Sequence, residues 1–227
     1  MSATSTFQPA VRIQTSILAD LEKRVLVFLA RHMPPRVNSD QLTAIGALSM
    51  AGVGAAFWIA GTHPLALIAV PVLLGLNWFG DSLDGTLARV RHQERPRYGY
   101  YLDHVLDATG MALLTAGLIL GGHMSPSPGL VFLGAYYLLT IEIALAAHAR
   151  REFRMAFWRI GPTELRIILA IGALMRLRAP TVSPFGSPWL LFDIGAWIAV
   201  AGLLMTFTVS AIANTRALYR EESCRAL

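Results

Sequence analysis

Four aspartates, Asp81, Asp84, Asp103 and Asp107, stand close together in a chain that is 55% hydrophobic and only 15% charged. Asp81 and Asp84 are three apart at the end of one apolar run, and Asp103 and Asp107 are four apart at the start of the next. Residues three or four apart share a helix face. Each pair therefore points one way, and two antiparallel helices can bring the pairs together. Small residues share those faces: Asp81, Asp84, Gly85 and Ala88 follow i, i+3, i+4, i+7, and Gly99, Asp103 and Asp107 follow i, i+4, i+8. Small residues let a bulky ligand approach a helix backbone. Against four negative charges, Arg89 is the only cation within the pattern. Buried charge must be paired or neutralised. Two divalent cations would balance it, and an all-carboxylate set suits the hard ions Mg²⁺ or Mn²⁺. Such ions pair carboxylates with substrate phosphates, and two of them can clamp a phosphoryl displacement.

The elements that carry these acids are membrane spans. In the 227-residue chain, several apolar runs approach or exceed the ~20 residues that cross a bilayer. Six are predicted, near residues 40–62, 65–90, 98–122, 128–149, 162–178 and 188–214. Before them, residues 11 to 32 place Ile13, Ile17, Leu21, Val25, Phe28 and Leu29 on one helical face with charges opposite, the pattern of a helix lying in the membrane interface. The predicted architecture is all-α: a tail and interfacial helix over 1–36, then a six-span catalytic domain over 37–227. Asp40 is a candidate N-cap for the first span. The first apolar stretch carries Asp20, Glu22, Lys23 and Arg24, unlike a cleavable signal peptide. The lone Cys224 excludes an internal disulfide. The net charge of +5 is no nucleic-acid signal, because the arginines fall at span ends.

Lys and Arg in short loops set orientation. Arg12, Lys23, Arg24, Arg31 and Arg36, then Arg91, Arg95 and Arg97, then Arg150, Arg151, Arg154 and Arg159, then Arg216, Arg220 and Arg225 lie on one side, against Arg176 and Arg178 on the other. This bias puts both termini and the acids on the cytoplasmic side. Asp81 is about 16 residues into its span, hence ~24 Å from the far end at 1.5 Å per residue. The acids therefore sit just inside the boundary of a ~30 Å core, within reach of a soluble nucleotide and a lipid. Acids at membrane depth are functional by default.

The run Asp81-x2-Asp84-Gly85-x2-Ala88-Arg89, nine residues, then Gly99-x3-Asp103-x3-Asp107 resembles the signature of the CDP-alcohol phosphatidyltransferases, with a spacer one residue longer than usual. Val37 to Gly46 is similar to the segment that opens the family's first span, with Ser39-Asp40 where Pro-Asn is common before Leu42-Thr43. The resemblance implies a membrane transferase of phospholipid synthesis, in a bacterial inner membrane. A substituted phosphate would pass from a CDP-linked donor to an acceptor alcohol with release of CMP. It implies that Asp81 and Asp103 bridge two ions, with Asp84 on one and Asp107 near the other, and that Asp107 is the general base. It further implies that Gly85, Ala88, Arg89 and Gly99 hold the nucleotide, and that the protein is a homodimer among membrane lipids.

Asp103-His104 is similar to a pair in the choline/ethanolamine phosphotransferases, which act on diacylglycerol. His104 therefore reads either as bonded to a neighbour or as a second candidate base. Gly161-Pro162-Thr163-Glu164 leans the same way, or simply starts a helix with Glu164 at its favourable end. Glu142, Trp158, Glu164 and Arg166, with Tyr137, are candidates to read the acceptor: acids and aromatics for a cationic head group, Arg154, Arg159 and Arg166 for a phosphate. A different class, a divalent-metal or proton-coupled transporter, would use the same acids without a nucleotide. Asp193, in the sixth span, has no role in either reading.

Overall fold

In the computed structural model, residues 19–150, 162–179, 181–183 and 186–223 are described. Expectations that fell on Ile13, Ile17, Arg154, Trp158, Arg159 and Gly161 lie outside them. Seven helices follow in order: α1 Ala19–His32, α2 Ser39–Ala60, α3 Ala69–Val90, α4 Pro96–Leu120, α5 Pro126–Arg150, α6 Pro162–Arg178 and α7 Leu191–Ser223. A 3-10 turn, Pro64–Ile68, leads into α3, and a two-residue antiparallel ladder pairs Thr181–Val182 (β1) with Trp189–Leu190 (β2). α4, α5 and α6 each open on a proline, whose fixed φ and missing N–H suit the first helical position. Among the described residues, five helices are long and apolar enough to cross a membrane. This is an all-α integral membrane protein. The fifth predicted span, α6, is not among the five; it has 17 residues and carries Glu164, Arg166, Arg176 and Arg178.

α2 is the axis of the bundle. Apolar packing gains little inside lipid, so membrane helices associate where small residues let backbones approach. Gly80 of α3 lies against α2 so closely that a Cβ there would sit 2.5 Å from Gly46 N and Leu42 O. About two turns further along α2, a Cβ on Gly117 of α4 would sit 2.0 Å from Gly54 O. Above these contacts a core of Phe57, Leu67, Val70, Leu74, Leu114 and Leu118 is sealed by Phe192 of α7, which meets Phe57 edge-on at 5.4 Å.

One expectation is corrected at the entry to α2. The N-cap is Asn38, whose Oδ1 accepts from Gln41 N at 2.8 Å while Gln41 Oε1 accepts from Asn38 N at 3.0 Å, a reciprocal capping box. Asp40 is left to pair with Arg95. α1 packs on the bundle by a stripe beside the one picked out in the sequence. Leu26 and Ala30 are buried with Leu29 and Met33 against Leu42, Leu83 and Leu87, whereas Leu21 and Phe28 are 63% and 60% exposed. α1 thus has two apolar stripes, one on the bundle and one facing out.

At the end of the bundle away from the acids, Asp193 is buried and accepts from Ser125 N at 2.7 Å and Ser125 Oγ at 2.6 Å. It ties α7 to the residue that precedes α5. His123, also buried, meets the Phe57 carbonyl through Nε2 at 3.0 Å. Burial, reinforced by the Arg176 guanidinium, holds its imidazole below the ordinary 6.5.

Gly117→Ala is expected to wedge α2 from α4, an overpacking penalty of about 1–3 kcal/mol, seen as a lower melting temperature in detergent. Gly134→Ala, with nothing within 4 Å of its new methyl, is the neutral control. The depressed His123 keeps its proton off in the fold but gains one in the unfolded chain. Stability is therefore full above pH ~6.5 and falls as pH drops through it. His123→Gln is expected to flatten that fall in a pH series of melts.

Candidate active site

The carboxylates come from the second half of α3 and the first half of α4, yet these helices barely touch one another; both pack on α2. The gap between them, floored by α2, is where the acids meet. Asp81, Asp103 and Asp107 can each present an oxygen so that all three lie within 4.8 Å of one another, Asp81 and Asp103 half-buried and Asp107 exposed. Asp84 stands outside this trio. Its Oδ2 receives the Thr43 hydroxyl of α2 at 2.6 Å, and its Oδ1 receives its neighbour's amide, Gly85 N. Leu42-Thr43, noted in the sequence as the opening of the first span, thus supplies a hydrogen bond to the site.

Asp81 has a partner that spacing did not reveal. The Arg166 guanidinium of α6 binds Asp81 Oδ2 and, through Nε, Asn77 Oδ1 at 2.8 Å. Asn77 is buried one turn before Asp81 and donates to the Gly46 carbonyl at 3.0 Å. A polar chain therefore runs from α2 through α3 to α6 and ends on a site carboxylate. Arg89 binds no site acid among the described contacts; it donates to Thr86 Oγ1 at 3.0 Å and lies along Gly85.

The small residues of the pattern are not packing residues. A Cβ on Gly99 would meet nothing within 4 Å, and one on Gly85 only the Arg89 side chain, at 3.6 Å. They contrast with Gly80 and Gly117, which the bundle requires. Open space above a carboxylate cluster is room for a ligand.

α3 ends directly after the motif. Gln93 N donates to Ala88 O at 2.9 Å and His92 N to Arg89 O at 3.2 Å, with His92 at φ 55°. This is the Schellman arrangement, with a left-handed residue past the helix end. Arg91 then binds the carbonyls of Met33 at 3.0 Å, Pro34 at 2.9 Å and Val37. Arg95 pairs with Asp40 and lies 4.4 Å over the Tyr98 ring. The longer spacer is thereby strapped to the α1–α2 connection, which holds the site ends of α3 and α4 in place.

Other expected site residues are placed as follows. His104 directs Nδ1 to the Tyr100 carbonyl at 2.9 Å, and its ring lies 4.1 Å from that of Tyr100; it is not in the carboxylate trio. Glu142, expected near the acceptor, is buried and engaged by Ser210 Oγ at 2.8 Å and Asn214 Nδ2 at 2.7 Å, a link between α5 and α7. The Tyr137 hydroxyl donates to the Ala108 carbonyl at 3.0 Å. Glu164 and Arg166 lie in the first two turns of α6.

Hard oxygen donors gathered in this way fit a divalent cation of the Mg²⁺ or Mn²⁺ kind. Fold and site together define the class: a helical membrane protein whose polar site opens at one end of the bundle. The family model for CDP-alcohol phosphatidyltransferase matches residues 38–213. The chain belongs to that family and is a transferase of phospholipid head-group synthesis. No curated protein sequence matches it significantly. Among solved structures it is similar to the phosphatidylinositol phosphate synthase (PgsA1) of Mycobacterium tuberculosis with CDP-DAG bound. The identity is 22% and the TM-score 0.58, over 86% of this chain and 94% of that one, a likeness of fold.

Because Gly85 and Gly99 face open space, Gly85→Leu and Gly99→Leu are expected to melt within about 0.5 kcal/mol of the parent, as surface changes do. Both should lose the thermal stabilisation that CMP with Mn²⁺ gives the parent protein.

Proposed function

We propose that the protein transfers a phosphatidyl or phospho-alcohol group from a CDP-linked donor to an acceptor hydroxyl and releases CMP. One observation carries the reading: oxygens of Asp81, Asp103 and Asp107 can meet within 4.8 Å beside the open faces of Gly85 and Gly99. Asp81, Asp84, Asp103 and Asp107 would hold two divalent cations, which when bound supply charge neutralisation at a diphosphate. The chain's own residues do the rest. Arg89, lying along Gly85, pairs with the diphosphate, and Gly85, Ala88 and Gly99 leave room for cytidine and ribose. The acceptor hydroxyl attacks the β-phosphorus, Asp107 takes its proton, and the bond to the CMP oxygen breaks with its electrons leaving on CMP.

Asp107 is the more suitable base. It is the exposed member of the trio, whereas His104 directs Nδ1 to a backbone carbonyl and sits about 100° round the helix from Asp103. The CDP-DAG bound by the mycobacterial relative supports CDP-diacylglycerol as the donor. Glu164 and Arg166 of α6 are the acceptor-side residues, because the carboxylate of Glu142 is engaged within the bundle.

In the membrane, α6 serves as a span as well, the fifth in chain order. At about 26 Å it is slightly short of a ~30 Å core, and its terminal arginines reach to the interfaces. α1 lies in the cytoplasmic interface with Leu21, Val25 and Phe28 toward lipid. The arginine bias supports a cytoplasmic site and cytoplasmic termini; a bacterial inner membrane and a homodimer are what the family resemblance implies.

The test is CMP release, with Mg²⁺ or Mn²⁺, from CDP-diacylglycerol against a panel of alcohols and from CDP-choline with diacylglycerol, the lipid product identified by mass. Asp107→Asn is expected to lose about 10²–10⁴-fold in rate, the usual contribution of a general base, with an unchanged melting temperature. Parent-like turnover in that variant would remove Asp107 from the role, and His104→Ala in the same assay separates the two bases.

A further inference from the structure

α1 reaches the site through one side chain. Glu22 Oε1 accepts from Trp78 Nε1 at 2.7 Å, from Thr163 Oγ1 at 2.8 Å and from Ser82 Oγ at 3.4 Å. Trp78 and Ser82 belong to α3, and Ser82 directly follows Asp81. Thr163 is in the first turn of α6, three residues before Arg166, and so shares its face. A half-buried carboxylate needs donors to replace water, and here those donors come from two different helices. Bonds from the α6 hydroxyl and the α3 indole to one oxygen fix how the site end of α6 lies on α3. That same placement brings the Arg166 guanidinium onto Asn77 and Asp81.

We propose that Glu22 is a positioning residue for the site: through Thr163 it locks the placement of α6 on α3 that carries Arg166 to Asp81. Arg166 is the counter-ion of Asp81, and a cation arriving at the carboxylates must displace or share with it against like-charge repulsion. Glu22, bonded to α3 and α6 rather than to a site carboxylate, thus tunes how readily the site admits its metal. This inference rests on the reading of the aspartates as metal ligands.

The experiment is a Mn²⁺ titration of the full-length protein in detergent, with the free ion followed by electron paramagnetic resonance and no substrate present. Glu22→Ala and Thr163→Val are each expected to lower the Mn²⁺ concentration at half-saturation by about threefold or more, as coupling within one hydrogen-bond network does. Arg166→Gln should lower it at least as far, and adding Glu22→Ala to Arg166→Gln should change nothing more. Glu22→Gln retains an acceptor oxygen and is expected to stay within about twofold of the parent. Thr163→Val carries the test if Glu22→Ala fails to fold. No Mn²⁺ uptake by the parent would overturn both the metal reading and this inference. Uptake with an unchanged half-saturation in Glu22→Ala and Thr163→Val would overturn the role of Glu22 alone. So would an equal shift in the Arg166→Gln background, or one in Glu22→Gln as large as in Glu22→Ala.

Discussion

A carboxylate at the edge of the hydrocarbon has lost most of its water, and something in the protein must stand in for it. The site end of this bundle is organised by that requirement. Asp81 takes the Arg166 guanidinium, Asp84 takes the Thr43 hydroxyl, and Glu22 takes donors from α3 and α6. Even Asp40, in the first turn of α2, is paired, with Arg95. Charge is compensated residue by residue from neighbouring helices, so the acids also tie those helices together.

The second constraint is that lipid offers no hydrophobic drive for helix association. Close approach through glycine replaces it. Gly46 with Gly80 and Gly54 with Gly117 press α3 and α4 onto neighbouring faces of α2. The result is a gap between α3 and α4 at the site end, where the carboxylates face one another and where Gly85 and Gly99 leave the walls thin. The glycines of the fold and the glycines of the site therefore do opposite things: one set removes space, the other keeps it.

The distal end is built separately. Asp193 on Ser125, His123 on the Phe57 carbonyl, and Phe57 on Phe192 join α2, α7 and the turn before α5. Glu142 with Ser210 and Asn214 clamps α5 to α7. Each of these buried polar residues has a partner within the bundle, His123 through Nε2, and they show why a polar residue at membrane depth is not in itself a mark of the active site.

Much of the site was legible in the chain because it is local. The spacing of Asp81, Asp84, Asp103 and Asp107 with Gly85, Ala88, Arg89 and Gly99 depends only on helical periodicity, and the span boundaries fall within a few residues of the apolar runs, except that α7 continues past 214 to Ser223. The one misreading concerns a choice between near-equivalent residues. Asn38 and Asp40 are both able caps; Asn38 serves, and Asp40 goes to an arginine from a distant loop. α1 carries two apolar stripes, and local pattern does not say which one meets α3. The partners of Glu142, Ser210 and Asn214, are likewise far from it in sequence. Thr43, Asn77, Arg166 and Glu22 acquire their site contacts from other helices, at separations of 41 residues or more for Thr43 to Asp84 and for Arg166 to Asp81. By itself the chain determined which helix faces are acidic and that they stand at the ends of apolar runs, since periodicity and hydropathy are properties of neighbours in sequence. Only the tertiary structure decided which cation, hydroxyl and amide compensate each acid, because that depends on how closely the glycine contacts let separate helices approach.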